Sequence, residues 1–369
     1  MKIVQLVKYY DPCQGGMESV VKNLVEGVVD CSQDISFTVY SNNHVQSFAR
    51  IKKIFGKITV LKEITPIYLK SQPLNLRYPA LKKLIKENDI IHHHYPFPTM
   101  ELHLLKYIKK FDNKKLIITW HANIKNSRWS WIAKFYNPII KRLLDRADQI
   151  IVTSPQLFEA SDILKNYKDK IKVIPLSFDP KYEISEGKKK PTDRDFELLF
   201  VGKLRKYKGV EFLIEAIQNL PVKLTIVGNG EELEILQERV KFLGIKEQVK
   251  FILNASDNEL SKIYKASDLF ILPSINEAEA FGVVQLEAMA NGLPVINTYL
   301  DSGVPFVSLN DFSGITVTPK SSENIRSAIV RIIESKELYE KFSLNAIERS
   351  GLFTRKKMSE SYLDLYNEL

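Results

Sequence analysis

Two glutamates in the second half of the chain are placed to bind a ligand. Glu279 lies in the loop before a predicted helix, residues 282–290, and Glu287 lies more than one turn inside it. A paired acid–base dyad is therefore not expected. At the start of a helix, unpaired N–H groups and the dipole favour an anion. Here those N–H groups belong to Phe281, Gly282 and Val283. The stretch predicts a site for a phosphorylated, polyhydroxylated ligand.

A short basic loop follows the predicted strand Leu198–Val201. Glycines flank it at Gly202 and Gly209. The loop contains four basic residues, Lys203, Arg205, Lys206 and Lys208. Charges this close repel one another unless an anion is bound or the side chains spread into water. The loop therefore predicts phosphate binding, with a solvated run of charge as the alternative.

Glycine and histidine mark two places in the first half. Gly15 and Gly16 precede a helix-periodic segment, where glycine lets a ligand approach the backbone, although a tight turn is the alternative. The pattern is not G-x-G-x-x-G, so nicotinamide binding has no support. His121 ends a predicted strand, and a hydrogen-bonded structural histidine is its alternative. In the histidine run that begins at His92, strand alternation puts only the first and third on one side, so a metal site is not expected.

Strand-like and helical segments alternate and would position these residues. Further strands are predicted at Lys2–Val7, Ile35–Tyr40, Ile58–Leu61, Ile90–His94, Leu116–His121, Ile150–Thr153, Leu269–Leu272 and Pro294–Asn297. Helices of the first half are predicted at Pro79–Glu87, Thr99–Phe111 and Trp129–Asp145. This alternation is typical of α/β proteins with parallel sheets covered by helices on both faces. Ligands should then lie at the carboxyl ends of the strands.

Length and composition indicate a soluble protein of two domains. A chain of 369 residues exceeds the size at which one core keeps growing, and 44% of its residues are hydrophobic and 26% charged. No apolar run is long enough to span a bilayer, and the N-terminus lacks the features of a signal peptide. Two cysteines give neither a disulfide framework nor metal-ligand spacing. We expect a cytoplasmic protein.

The formal net charge of +9 indicates an anionic partner. The lysines are scattered and no nucleic-acid-binding module is recognisable, so nucleic acid is not expected. Nucleotide sugars and the inner face of an anionic membrane both fit, as does a lysine-rich solvated surface. The amphipathic stretch Leu102–Lys115 is a candidate for membrane contact, with a packed helix as the alternative.

Changes in polarity divide the chain. We predict a first Rossmann-like domain over residues 1–176, a linker over 177–195, a second Rossmann-like domain over 196–351 and a C-terminal helix over 352–369.

The segment EAFGVVQLEAMANGLPV resembles the E-x7-E motif of the retaining GT-B glycosyltransferases of family 4, a group that includes many bacterial surface-polysaccharide enzymes. The resemblance extends over nearly the whole chain and implies a GT-B fold, with two Rossmann-like domains facing across a cleft. Lys203 and Lys208 match the arginine and lysine of the family's G-R-x4-K-G motif, which hold the donor diphosphate. Lysine at position 203 loses the bidentate fork of arginine, for which Arg205 is a candidate replacement.

The resemblance also implies roles for the other candidates. His121 would lie close to the donor sugar and the attacking hydroxyl, although Ala122 and Asn123 depart from the common pattern. Glu287 would hold the ribose hydroxyls, while Glu279 and the helix amides would fix the sugar. The remaining donor-binding positions implied are Gly15, Gly16, Gly202, Gly228 and Asn254, the last standing where the family often has glycine near the base.

The activity implied is retaining transfer of a hexose, from GDP-mannose or a UDP-hexose, to a hydroxyl of a glycan or lipid-linked acceptor. Lipopolysaccharide, O-antigen or capsule biosynthesis is the implied setting. The first domain would bind the acceptor, the second the donor, and the last helix would cross back to the first domain. Neither the E-x7-E segment nor the basic loop contains a D-x-D carboxylate pair suited to a divalent ion, so no metal or other cofactor is expected. A GT-B sugar-nucleotide epimerase and a non-catalytic two-domain binding protein are the alternatives.

Overall fold

A computed structural model describes most of the chain, namely residues 1–12, 16–43, 45, 47–69, 72–75, 77–107, 109, 113–123, 133–182 and 185–369. Its strands are β1 Lys2–Leu6, β2 Ser36–Asn42, β3 Ile51–Phe55, β4 Ile58–Glu63, β5 Ile67–Leu69, β6 Gln72–Leu74, β7 Ile90–Tyr95, β8 Lys115–Trp120, β9 Gln149–Val152, β10 Ile171–Val173, β11 Phe196–Val201, β12 Val222–Val227, β13 Val249–Ile252, β14 Leu269–Leu272, β15 Val295–Thr298 and β16 Gly314–Val317. Its α-helices are α1 Gly16–Cys31, α2 Leu81–Glu87, α3 Pro98–Tyr107, α4 Ala133–Arg146, α5 Pro155–Glu159, α6 Val210–Ala216, α7 Leu233–Phe242, α8 Asp257–Ala266, α9 Val283–Ala290, α10 Val304–Val307, α11 Ser322–Glu334, α12 Lys336–Ser350 and α13 Arg355–Glu368.

The chain divides into two compact units. Unit 1 contains Met1–Ser177 and Arg355–Leu369, and unit 2 contains Phe178–Thr354. The last helix, α13, therefore belongs to unit 1, where it packs against α1. Arg355 at its start donates to Asp30 of α1 at 2.8 Å.

The predicted linker, residues 177–195, differs from the structure, because nearly all of it belongs to unit 2. Phe178 and Tyr182 are buried, and the amide of Lys188 donates to Ser343 Oγ at 2.6 Å. Residues 183–184 lie outside the described part of the chain. The polar composition suggested a solvated segment, but the ring contact of Tyr182 with Tyr264 and the backbone bonds attach it to the second unit.

The main sheet of unit 1 has the strand order β10-β9-β8-β7-β1-β2-β4-β3. Its pairs are parallel except for β3, which runs antiparallel to β4 at the edge. One apolar cluster on this sheet includes residues of α2, α3 and α4, and the other includes residues of α1 and α13. The chain reverses its direction of winding between β1 and β7, and this switch point is where open α/β sheets bind ligands.

Unit 2 contains a parallel sheet with the order β13-β12-β11-β14-β15-β16. This is the Rossmann order, and its switch point lies between β11 and β14. Strand β14 is fully buried, as expected for a strand that helices cover on both faces. The predicted α/β class and its two parallel sheets are confirmed. Among the features that were not predicted are the antiparallel β3 and the small β5–β6 pair.

Candidate active site

An ion pair occupies the switch point of unit 2. Lys208 follows β11 and Glu279 follows β14, and the distance from Lys208 Nζ to Glu279 Oε2 is 2.5 Å. The side chains are 9% and 10% exposed. Ser274 Oγ donates to the same carboxylate oxygen at 3.0 Å. Two predicted site residues that are distant in sequence are thus brought together, because their strands are neighbours in the sheet.

The electrostatics of Lys208 reflect two opposing effects. Burial alone would lower the pKa of Lys208, but attraction to Glu279 and to Tyr207 outweighs burial and raises it above the ordinary lysine value. Lys208 is therefore charged at neutral pH, with Glu279 as its counter-ion. A Cβ added at Gly202 would lie 3.4 Å from Lys208 Nζ, so this glycine keeps the space beside the ammonium group open.

The other basic residues of the loop surround this pair at the surface. Lys203, Arg205 and Lys206 are exposed. Within the described residues, none of the three forms an ion pair with a carboxylate. Arg205 contributes a side-chain hydrogen bond to Tyr207. The loop therefore carries positive charge that the described protein groups do not neutralise, which favours an anionic ligand.

The loop that carries Glu279 leads into α9. Gly282, the residue before α9, has φ +74°, and a Cβ there would lie 2.7 Å from Leu272 Cδ2 and from Gln285 Nε2. Among described residues, the amides of Phe281, Gly282 and Val283 have no acceptor. The start of α9 thus presents the unpaired N–H groups that were predicted from the sequence. Phe281 is itself buried, and its ring packs on Phe306 and Phe353.

A buried network of side-chain amides stabilises the start of α9. Gln285 Nε2 donates to the carbonyls of Phe281 and Val304, and its Oε1 accepts from Asn297 Nδ2 at 2.8 Å. Thr298 Oγ1 donates to the Ser274 carbonyl at 2.6 Å. These bonds tie the loop before α9 to the end of β15, so both Glu279 and the helix amides rest on a rigid base.

Glu287 lies in a different cluster, apart from Glu279. Its Oε2 accepts from Tyr264 Oη at 2.8 Å. Burial raises the pKa of Glu287 to about 7, although the hydrogen bond from Tyr264 and the charge of Lys181 act to lower it. Lys181 Nζ pairs with Asp257 at 2.9 Å and with Asp179 at 3.5 Å. The prediction that the two glutamates form no dyad agrees with this arrangement.

The other predicted donor-binding residues of unit 2 follow the ends of neighbouring strands. Gly228 follows β12, and its amide donates to the Ile252 carbonyl at 2.9 Å. A Cβ at Gly228 would collide with the carbonyl oxygen of Gly202, so the glycine is required for contact between two loops whether or not a ligand is bound. Asn254 is exposed after β13, and Val283 is half-buried in the first turn of α9.

In unit 1, His121 follows β8 and is 8% exposed. Its Nε2 lies 2.9 Å from Nδ1 of His94, and its amide donates to the Tyr95 carbonyl at 3.1 Å. Burial, with repulsion from His93, lowers the pKa of His121 to about 3, so the imidazole is neutral at pH 7. His121 thus has the buried hydrogen bond expected of a structural histidine, together with a small exposed surface.

The three consecutive histidines divide between the two faces of the sheet. His92 and His94 share one side, with ring centroids 4.5 Å apart. His93 lies on the other, where its Nε2 is 2.9 Å from Glu101 Oε1 of α3. Burial lowers the pKa of both His92 and His94. Within the described residues, no group of histidine, cysteine, aspartate and glutamate is arranged to hold a metal ion.

The N-terminal glycine pair is described only in part. Gly15 lies outside the described residues. Gly16 is exposed at the first residue of α1, and the described residues leave the space beside it open.

Several residues of these sites were not anticipated from the sequence. They are Gln5, Glu101, Lys181, Tyr264, Ser274 and Tyr366. Gln5 gave a usable signal, because it is polar in the middle of an apolar strand. The others are polar residues in ordinary surroundings, and only the fold brings them to their partners.

Two family models match consecutive parts of the chain. "Glycosyltransferase Family 4" matches residues 14–182, and "Glycosyl transferases group 1" matches residues 181–349. Together they include both basic and acidic candidates of unit 2 and the histidines of unit 1. The chain is a GT-B glycosyltransferase.

Two curated relatives of this glycosyltransferase match it over almost their full lengths. D-rhamnosyltransferase WbpZ of Pseudomonas aeruginosa is 28% identical, over 96% of this chain and 92% of that protein. O-antigen chain mannosyltransferase C of Escherichia coli is 26% identical, over 100% and 99%. The fold agrees with that of sucrose-phosphate synthase from Thermosynechococcus elongatus, with a TM-score of 0.77, 21% identity and coverage of 100% and 98%.

None of the described helices combines the length and apolar character needed to cross a bilayer.

Proposed function

We propose that this glycosyltransferase transfers a hexose from a nucleoside diphosphate sugar, with retention of configuration, to a hydroxyl of a glycan or lipid-linked acceptor. GDP-mannose is the first donor to test, because the curated relatives are named as a mannosyltransferase and a D-rhamnosyltransferase. The same names suggest the assembly of O-antigen or a related surface polysaccharide. Unit 2 would bind the donor and unit 1 the acceptor.

The observation that carries the proposal is the Lys208–Glu279 pair beneath an exposed basic loop. A diphosphate leaving group gains negative charge as the sugar departs. Positive groups already in place stabilise that charge without reorganisation and therefore lower the barrier. Lys208, Lys203 and Arg205 would stabilise the diphosphate, while Glu279 and the first amides of α9 would hold the sugar. Glu287 would accept hydrogen bonds from the ribose hydroxyls.

A donor panel tests the activity. Binding of GDP-mannose, UDP-hexoses and dTDP-hexoses is measured by calorimetry, and product formation is measured with and without a hydroxyl acceptor. We expect one nucleotide class to bind and transfer to require the acceptor. Product without acceptor would instead favour the epimerase, and binding without turnover would favour the binding protein. The anomeric configuration of the product, determined by NMR, tests retention.

The ion pair gives a test in which removal of the positive charge and removal of the negative charge have different expected effects. Lys208→Met leaves the carboxylate of Glu279 beside the diphosphate, so we expect binding of the free nucleoside diphosphate to weaken about 100-fold. Glu279→Gln leaves the positive charge, so diphosphate binding should stay within about threefold of the parent or tighten, while sugar transfer is lost. Lys206→Met, an exposed neighbour in the same turn, is the matched control. Equal losses in the Lys208 and Glu279 variants would contradict the assigned roles.

No metal is needed for this chemistry in the proposal, because lysine and arginine supply the positive charge. We expect transfer to continue in EDTA. A loss that magnesium or manganese restores would overturn that part of the proposal.

We also propose peripheral contact with an anionic membrane, made by the β3–β4 hairpin of unit 1. Every residue of β3 is exposed, including Ile54 at 63% and Phe55 at 58%. Lys52 and Lys53 directly precede these two apolar residues, and within the described residues neither lysine forms an ion pair. Exposed apolar groups beside lysines are the composition that binds an anionic lipid surface.

The helix predicted for membrane contact has a different environment. Of α3, Met100 and Leu104 are buried and only Leu102 among its leucines is largely exposed, at 47%. The part of the stretch at residues 108 and 110–112 lies outside the described residues. This supports the packed-helix alternative and leaves the hairpin as the better candidate.

Vesicle co-sedimentation tests the hairpin. We expect binding to phosphatidylglycerol-containing vesicles and little to pure phosphatidylcholine. The double variant Ile54→Ser, Phe55→Ser should lower the partition coefficient at least about tenfold. Phe242→Ser is the control, since Phe242 is 80% exposed in α7 of unit 2. Equal loss in the control, or binding that ignores lipid charge, would refute the assignment.

A further inference from the structure

A chain of hydrogen bonds connects His121 to the middle of β1. His121 Nε2 lies 2.9 Å from His94 Nδ1, and His94 Nε2 lies 2.8 Å from Oε1 of Gln5. The register places Gln5 beside His92 across the switch point between β1 and β7. Gln5, His92 and His94 have no exposed surface, so solvent does not compete for these bonds.

The chemistry of the amide sets the direction of this chain. An amide oxygen only accepts, so His94 must donate from Nε2. A neutral imidazole has one N–H, which leaves His94 Nδ1 as an acceptor, and His121 must then donate from Nε2. The Nδ1 atom of His121 is left with its lone pair, and among the described residues it has no partner. Burial keeps His94 and His121 neutral by lowering the pKa of each.

The other end of the Gln5 amide bonds to the C-terminal helix. Gln5 Nε2 donates to Tyr366 Oη at 3.0 Å, and Tyr366 Oη lies 2.8 Å from His92 Nδ1. Since Tyr366 already accepts from Gln5, its own hydrogen points to His92. His92 then donates from Nε2 to Thr119 Oγ1, which lies 2.7 Å away. Thr119 is in turn 3.2 Å from Tyr362 Oη, one turn before Tyr366.

With the Gln5 amide in this orientation, each link in the chain has one direction. A flipped Gln5 amide would reverse every donor and acceptor, so that His121 would present an N–H in place of a lone pair. We propose that Gln5 and Tyr366 are positioning residues that hold His121 in the Nε2–H tautomer, with Nδ1 free to accept a hydrogen bond from a hydroxyl. Only the use of that acceptor by a sugar or acceptor hydroxyl rests on the proposed function. The last helix thereby contributes to the site as well as to packing.

Nitrogen NMR of the protein labelled with ¹⁵N-histidine tests the tautomers directly. Protonated and bare ring nitrogens resonate far apart, and His121→Gln and His94→Gln identify the signals. We expect His121 and His94 each to carry the proton on Nε2. Gln5→Met removes both amide bonds at nearly constant volume, and should raise the Nδ1–H population of His121 from below about one in ten to about one in two.

Two tyrosine variants on the same helix provide a matched pair. Tyr366→Phe leaves the Gln5 amide without its acceptor, so His121 should again show both tautomers. Tyr362→Phe removes only the last link beyond Thr119, so the signals of His121 should stay unchanged. Both substitutions keep the ring, so folding is preserved. An Nδ1–H tautomer in the parent, or equal spectra for the two tyrosine variants, would overturn the proposal.

Kinetics separate this inference from the proposed function. With the donor identified, Gln5→Met should lower kcat about tenfold with little change in donor KM, since the helix amides and lysines of unit 2 are untouched. Expected tautomers without nucleotide-sugar binding would refute the function and leave the positioning role in place. Normal transfer by a variant with mixed tautomers would show that the acceptor nitrogen is not used.

Discussion

Replacing one partner of the Lys208–Glu279 pair should destabilise unit 2 strongly. Replacing both partners together should destabilise it less. Lys208→Met leaves the buried carboxylate of Glu279 with a hydrogen bond from Ser274 among the described residues. Glu279→Gln leaves a buried ammonium group. Removal of one partner of a buried pair typically costs about 3–5 kcal/mol, whereas replacement of both is often close to neutral.

Proton exchange limits how large these costs can be. An unpaired carboxyl can take up a proton at pH 7 for about 4 kcal/mol, and an unpaired lysine can release one for about 5 kcal/mol, given their ordinary pKa values. Because the side chains are 9% and 10% exposed, partial hydration reduces the costs further. We therefore expect about 3 kcal/mol for each single variant, about 2 kcal/mol for the double variant and a coupling energy of about 4 kcal/mol.

The position of the tryptophans makes the assay specific for unit 2. All three tryptophans, Trp120, Trp129 and Trp131, precede Ser177 in the sequence, and Trp120 is buried in unit 1. Urea unfolding followed by tryptophan fluorescence thus reports unit 1, while far-ultraviolet circular dichroism reports both units. We expect the substitutions to shift only the dichroism transition. The exposed control Lys206→Met should change stability by less than about 0.5 kcal/mol. Additive single variants, or a shift in fluorescence alone, would refute the reasoning.

Three further predictions concern unit 2 and its surroundings. The pKa of Glu287 is raised to about 7, and the ribose contact proposed for Glu287 needs its ionised form. Nucleotide binding should therefore tighten about tenfold between pH 6 and 8, and Glu287→Gln should remove that dependence in calorimetry. Gly282→Ala should lower the free energy of unfolding, measured in urea, by about 2 kcal/mol. Gly56→Ala should lower it by about 1 kcal/mol, because Gly56 has a similar φ but open space around it. Arg194→Lys should cost about 1 kcal/mol, since lysine cannot reproduce the two bonds at 2.7 and 2.8 Å to Asp268; an unchanged midpoint would contradict this.

Much of the fold was predictable because short apolar runs in the sequence indicate buried parallel strands. The segment Leu269–Leu272 agrees with β14 at both ends, and the helix predicted for residues 282–290 begins one residue later, at Val283. The hairpin strand Ile51–Phe55 was missed because its lysine-rich, fully exposed sequence lacks the one-sided burial on which that reading depends.

Local sequence was also sufficient to find the charged groups of the candidate site. The basic loop and Glu279 were identified because glycines and helix starts have recognisable patterns. Sequence did not reveal that Glu279 would serve as the counter-ion of Lys208. That pairing depends on β11 and β14 being neighbours, which the order of elements along the chain does not specify uniquely.

By itself, the sequence determined the α/β class, the two-part organisation, most strands and the charged residue types of the candidate site. These follow from periodicity, turn residues and charge, which act over a few residues. The tertiary structure decided which groups became partners: Glu279 with Lys208, Glu287 with Tyr264, and His121 through His94 and Gln5 to Tyr366. Such pairs join residues far apart in the chain. Their protonation and hydrogen-bond direction depend on burial and sheet order, and neither is encoded by spacing.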